Sequence, residues 1–173
     1  MAGVFGTCAG SVSPWNTHIG GEEWGLPDAR VFESWTTRDQ VAEYDAGWRY
    51  WNLEAPTLDQ VKAVFHPYQN GYVNEVSIDD SAGDVKITAG KHYAMGRYAI
   101  ELAKCLPTSP QVCYITDDKT NGIPCAYKPD VANDLSGGEL FCAKVRRHAR
   151  QNRVDCFWCS RSLSLALPTI FTV

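Results

Sequence analysis

Tyr72-Val73-Asn74-Glu75-Val76-Ser77-Ile78, followed by Asp79-Asp80-Ser81-Ala82-Gly83-Asp84 and then Val85-Lys86-Ile87-Thr88, is the stretch that decides the fold. Two short runs rich in β-branched residues flank a cluster of turn formers, which is the signature of an antiparallel hairpin. From here to about Lys144 the same grammar repeats. Strands are expected at Tyr98–Lys104, Val112–Thr116, Cys125–Tyr127 and Glu139–Lys144, with loops at Pro107–Pro110, Asp117–Gly122 and Pro129–Gly138. Short strands at this density, joined by loops, point to an antiparallel sandwich or propeller and not to a parallel α/β sheet.

Working back from the hairpin, the chain reads differently. Thr37-Arg38-Asp39-Gln40 and Thr57-Leu58-Asp59-Gln60 both fit the capping box, in which a Thr hydroxyl and a Gln side chain satisfy free backbone donors at a helix start. After Thr57 the apolar positions Leu58, Val61, Val64 and Phe65 keep helical spacing until Pro67 stops them. Two short helices therefore interrupt the strands, with Trp48, Tyr50 and Trp51 between them as a hydrophobic cover. At the front, Gly3–Ala9 reads as a strand that enters the turn-rich run Ser13-Pro14-Trp15-Asn16-Thr17-His18-Ile19-Gly20-Gly21-Glu22-Glu23. Adjacent carboxylates behind glycines are the raw material of a cation site, because hard cations need several oxygen ligands and close backbone approach. The plainer reading is a polar loop with two solvated glutamates.

Composition limits the function classes. The 173 residues are 45% hydrophobic and 12% aromatic, enough for one packed domain, and the net charge of −4 argues against a nucleic-acid partner. No run approaches the roughly 20 apolar residues of a membrane-spanning helix. Met1–Cys8 has neither the basic start nor the long apolar core of an export signal. Seven cysteines without regular spacing define no complete disulfide framework, and most are expected to be buried as small apolar side chains. Charge is uneven: residues 1–143 hold ten Lys and Arg against nineteen Asp and Glu, whereas residues 144–173 hold six against Asp155 alone.

Two more groups bear on chemistry. Arg97 and Glu101 stand four residues apart at an expected strand start, hence on one face, and Asp117-Asp118 end another strand. On their own these read as a surface ion pair and a turn.

In order along the chain, Cys8-Ala9-Gly10, Ser13-Pro14-Trp15-Asn16-Thr17, Glu22-Glu23, His66 to Glu75, Gly96-Arg97-Tyr98, Glu101, Thr116-Asp117-Asp118 and Asp134-Leu135-Ser136-Gly137-Gly138 resemble the PhoX-type alkaline phosphatases and their relatives. The resemblance covers about Gly3 to Lys144. It implies a mainly β chain forming part of a β-propeller, about two blades' worth of strands with the two short helices in an insertion. It also implies metal-dependent hydrolysis of small phosphomonoesters by the complete family protein, with carboxylates converging on calcium and iron. Carried over by position, Glu22, Glu23, Glu101, Asp117 and Asp118 are the candidate metal ligands and Arg97 a candidate substrate contact. Ca²⁺ is the expected ion. Iron is disfavoured because Gly21 stands where the family commonly has a cysteine ligand just before the Glu-Glu pair. The Arg-Pro-Glu motif that the family associates with phosphate binding is missing from this sequence, which favours an alternative reading as a non-catalytic, Ca-binding propeller fragment. Family members are often exported. Residues 145–173 are expected to form an atypical basic tail outside the family fold and outside the strand pattern, with residues 1–144 as the incomplete propeller. An incomplete propeller has open sheet edges, a route to self-association.

Overall fold

The computed structural model describes residues 4–23, 29–148 and 153–159. Among these residues, nine strands form two antiparallel sheets in which spatial order follows sequence order. The first sheet contains β1 (Thr7–Val12), β2 (His18–Glu22), β3 (Val73–Asp79) and β4 (Lys86–His92). The second contains β5 (Ile100–Leu106), β6 (Val112–Asp117), β7 (Cys125–Val131), β8 (Asp134–His148) and β9 (Arg153–Cys159). Each sheet is an up-and-down meander, the topology of a propeller blade. Two open blades, mainly β, make up a partial propeller.

The deciding hairpin is β3–β4. Its turn is fixed locally: the Asp79 carboxylate accepts bonds from the Ser81 amide and hydroxyl, and Gly83 takes a φ of +87° that a side chain would resist. The pairing sets Ile78 against Ile87 and Val76 against Ala89, on the face where β2 presents His18 and β1 Val12. Val12, Ile78 and Ile87 are all about two-thirds exposed. The opposite face is covered. Ile19 and Val73 pack with Ile100, Ala103 and Ile115 of the second sheet, all essentially without solvent contact, and the Ser11 hydroxyl donates to the Ala103 carbonyl at 2.7 Å. Strand β5 lies directly against β1 and β2.

Between β2 and β3 comes the helical insertion: α1 (Ala29–Glu33), α2 (Arg38–Ala42), α3 (Asp45–Trp48) and α4 (Leu58–Val64). Both expected capping boxes are present, at Thr37 and Thr57, and α1 and α3 are additional short turns of helix. None of these helices is long enough to be stable in isolation. A separate aromatic core holds them together: Phe32, Trp35, Val41, Trp48, Val61 and Phe65 are buried, and the Trp48 indole N–H donates to the Val41 carbonyl at 2.8 Å. Trp48 is thus part of a core, while the side chain of Tyr50 lies outside the described residues.

Three sequence expectations need correction. The Ser13–Glu23 run is a turn only as far as Thr17; His18–Glu22 is a strand paired on both sides. Gly20 and Gly21 misled because glycine pairs signal turns. Here they serve close packing: a Cβ on Gly20 would sit 2.7 Å from the Asn74 Oδ1, and one on Gly21 would sit 2.4 Å from the Ile100 Cγ2. Four of the five cysteines whose side chains are described are paired, not merely buried, with disulfides Cys105–Cys113 and Cys125–Cys142 between neighbouring strands. The strand pattern also does not stop at Lys144, since β8 continues to His148 and β9 pairs with its far half. Residues 160–173 lie outside the described residues.

Candidate metal centre

Cys8, Glu23 and Glu101 come from three places in the chain and converge at one end of the seam between the sheets. One ligand atom from each lies within 4.8 Å of the others. Local irregularities aim them. The β1–β2 register shifts between Thr7 and Gly10, across Cys8, and the β5–β6 register shifts between Ile100 and Leu102, across Glu101. Bulges of this kind turn a side chain out of the strand's regular alternation. Glu23 follows the last residue of β2, its amide held by the Gly6 carbonyl at 3.0 Å.

The thiol is poised between acceptors. Cys8 Sγ donates to Glu101 Oε2 at 3.2 Å. Hydrogen bonding to Glu23 first, and then to Glu101, pushes its pKa up to about 11, because ionisation would remove the donor and set three negative charges together. Two carboxylate oxygens and a thiol sulfur grouped in this way are a donor set that could hold a cation, with loss of the thiol proton.

The adjacent glutamate has a different task. Glu22 is fully buried, and its two oxygens accept from the Phe5, Gly71 and Tyr72 amides and from the Lys91 ammonium at 2.8 Å. Lys91 is itself buried and also donates to the Gln69 carbonyl and the Asn70 side chain. Successive residues at a strand end point to opposite faces, so Glu22 fastens the insertion to the sheet while Glu23 reaches the cluster.

The other candidates lie apart from the three-residue group. Asp117 accepts from the Ala99 amide at 3.1 Å, and the Asp118 amide donates to the Ala99 carbonyl, so both close the β5–β6 sheet end. Arg97 does not share a strand face with Glu101, since β5 begins only at Ile100. Its guanidinium donates to the Asn70 and Pro67 carbonyls and stacks over Tyr68. Cys8 is the residue of the cluster that sequence reasoning left out. The signal was present: folding Ser13–Thr17 as a hairpin turn sets Thr7 opposite Glu22, which brings Cys8 beside the acidic pair. A thiol therefore stands on the strand next to Gly21.

Two open meander blades with a thiol–carboxylate cluster at the end of their seam define a partial propeller that carries a candidate metal site. The family model described as alkaline phosphatase PhoX matches residues 1–134, and the chain belongs to that family. Among solved structures it is similar to Pseudomonas fluorescens PhoX in complex with vanadate, a transition state analogue, at 18% identity and a TM-score of 0.59. That match covers 92% of this chain and 30% of the other, so the chain spans under a third of its structural relative. No curated protein matches.

Proposed function

We propose that this chain carries one part of the metal centre of a phosphomonoester hydrolase, with Cys8, Glu23 and Glu101 as its ligands. The observation that carries the proposal is the convergence of their three donor atoms within 4.8 Å. The donor set fits a transition metal such as iron better than an all-oxygen calcium site, because a thiolate is a soft ligand and calcium takes only hard oxygens. Gly21 ceases to be an argument against iron. A calcium ion drawing on Glu23 and Glu101 together with other oxygens remains the second reading, and it corresponds to a non-catalytic, cation-binding relative.

A bound cation would supply charge neutralisation at phosphoryl oxygens and an acidified water. The residues of this chain contribute the rest of the arrangement. Glu101 and Glu23 hold the thiol proton in the free site, so loading must release it and metal uptake weakens as pH falls. We assign Glu22, Asp117, Asp118 and Arg97 to fastening the site's walls, in view of the backbone bonds they make. Arg97 as a substrate contact is then the weaker assignment. Residues 145–173 as a segment outside the family fold is likewise a proposal, to which the end of the family match at residue 134 lends support. So is self-association through the open edge of β4.

Phosphoryl hydrolysis also needs fixed positive groups on the non-bridging oxygens, and much of the rate comes from such preorganised charge. The missing Arg-Pro-Glu motif removes the expected source. The purified chain should therefore take up one equivalent of ferrous ion, measured by elemental analysis after desalting, and lose it on Glu101→Ala or Cys8→Ser. It should not hydrolyse p-nitrophenyl phosphate above background. Calcium uptake indifferent to Cys8→Ser would favour the second reading. Turnover that survives both chelator and Glu101→Ala would sink the site assignment.

A further inference from the structure

The first sheet is covered on one face and half bare on the other. Val12, His18, Val76 and Ala89 form a row across its four strands on the outer face, with the Ile78–Ile87 pair beyond them toward the hairpin turn. Val12, Ile78 and Ile87 are about two-thirds exposed, and His18 and Ala89 are exposed too. The His18 ring lies across Gly10, where a Cβ would come within 2.4 Å of its Cε1. Farther from the turn the same face is closed, since Asn74 and Lys91 are buried. From Ile78 to Ala89 every residue is exposed, so the end of the β3–β4 hairpin stands clear of the fold on both faces. Its two faces differ: Asp79, Lys86 and Thr88 lie on one, Ile78, Ile87 and Ala89 on the other. A contiguous exposed aliphatic surface of this kind marks an interaction site.

We propose that this face is the interface of a two-fold dimer, in which the outer face of the first sheet packs on the same face of a second copy of this chain. The chain itself shows what such a face takes. Ile19 and Val73 of the inner face are buried against Ile100 and Ile115 of another sheet, and a sheet about 10 Å from the outer face would bury Val12, Ile78 and Ile87 in the same way. Charge selects the second copy and its direction. The turn end of the face carries Asp79, Asp80 and Asp84 against Lys86 alone, whereas the exposed imidazole of His18 stands at the other end of the bare strip. A two-fold axis lying between the sheets and across the strands sets each acidic turn beside the partner's His18. An axis along the strands would crowd the carboxylates of both turns together. An isologous contact closes at two copies, so association is finite. Docking through the face leaves the free backbone groups of the β4 edge in water, whereas pairing along that edge would consume them. The inference does not depend on the metal site.

Sedimentation equilibrium on the full chain tests it. The chain should be a dimer that dissociates on dilution, equally in the presence and absence of added metal. Ile78→Asp and Ile87→Asp should each weaken the dimer about tenfold or more, because each buries an unpaired charge. Thr88→Asp, on the opposite face of the same hairpin, should leave it unchanged. Both isoleucines are exposed, and circular dichroism of the variants should match the parent chain. His18→Glu should weaken the dimer and His18→Lys tighten it, with both effects fading as salt is added. Hydrogen exchange of the outward amides of β4 should be the same in dimer and monomer. A chain that stays monomeric at every concentration, or a dimer untouched by both isoleucine substitutions, overturns the proposal. Protection of the outward β4 amides in the dimer overturns it in favour of edge pairing, and shifts of the same sign in the two His18 variants overturn the direction of packing.

Discussion

At the scale of single residues, the Glu22-Glu23 pair shows how little a side chain's neighbours in sequence reveal about its work. Both are glutamates at one strand end, yet one is consumed by four hydrogen bonds in the interior and the other faces the thiol of Cys8. The Cys8 environment makes a prediction with a definite sign. Its pKa stands above the ordinary thiol value, so the folded state holds that proton more tightly than the unfolded chain. The resulting contribution to stability is complete below about pH 9 and is lost as pH rises toward about 11. Alkylation of Cys8 in the metal-free chain should accordingly be slow at neutral pH, with a midpoint near pH 11. Glu23→Gln or Glu101→Gln should move the midpoint down toward that of a free cysteine, and an unchanged profile in both variants would show that the carboxylates do not govern the thiol. Of this site the sequence displayed the acids. It hid the thiol, because the pairing of β1 with β2 and the two bulges are long-range facts that no local spacing records.

At the scale of elements, the parts legible in the sequence were those whose signals are local. Capping boxes close within one helical turn, and a six-residue turn between two apolar runs specifies its own hairpin; both stand where the residues put them. The β2 strand was hidden because its glycines answer to Asn74 and Ile100, more than fifty residues away. The basic composition after Lys144 suggested a segment apart, yet β9 pairs with β8 along its whole length. Cross-strand pairs contribute about 0.2–1 kcal/mol each, so a chain ending at Lys144 should be less stable than one ending at Cys159 by a few kcal/mol. Urea denaturation of the two truncations measures the difference directly. Equal midpoints would restore the reading of residues 145–173 as a dispensable tail.

At the scale of the whole molecule, two cores that share almost no residues lie side by side. One is aliphatic and sulfur-rich, between the sheets, and the other is aromatic, inside the insertion. The meander order and the open blades follow from strand density and turn spacing, which the sequence carried. The division into two cores does not follow from them, since it depends on which face each helix turns to its neighbours. Glu22 joins the two, through amides at Phe5, Gly71 and Tyr72 on one side and Lys91 on the other. Lys91 adds bonds to Gln69 and Asn70, Arg97 to Asn70 and Pro67, and the Tyr98 amide to the Gly71 carbonyl, so the ties gather on the one segment 67–72, and a join confined to one segment limits cooperativity. The insertion's helices are short and stand beyond that segment, so they should open as a unit without global unfolding, as regions with few anchoring contacts do. In hydrogen exchange, amides of α2 and α4 should exchange from a common partial opening at a lower free energy than those of β5–β7. Glu22→Gln leaves the buried Lys91 charge without its counter-ion, and the loss of such a partner costs about 3–5 kcal/mol. That variant should narrow the gap between the insertion's opening and the unfolded baseline far more than it lowers protection in β5–β7. Glu22 would then act as a latch on a thermal fuse, a residue whose failure lets the aromatic half melt first while the blades and their thiol–carboxylate cluster stay assembled.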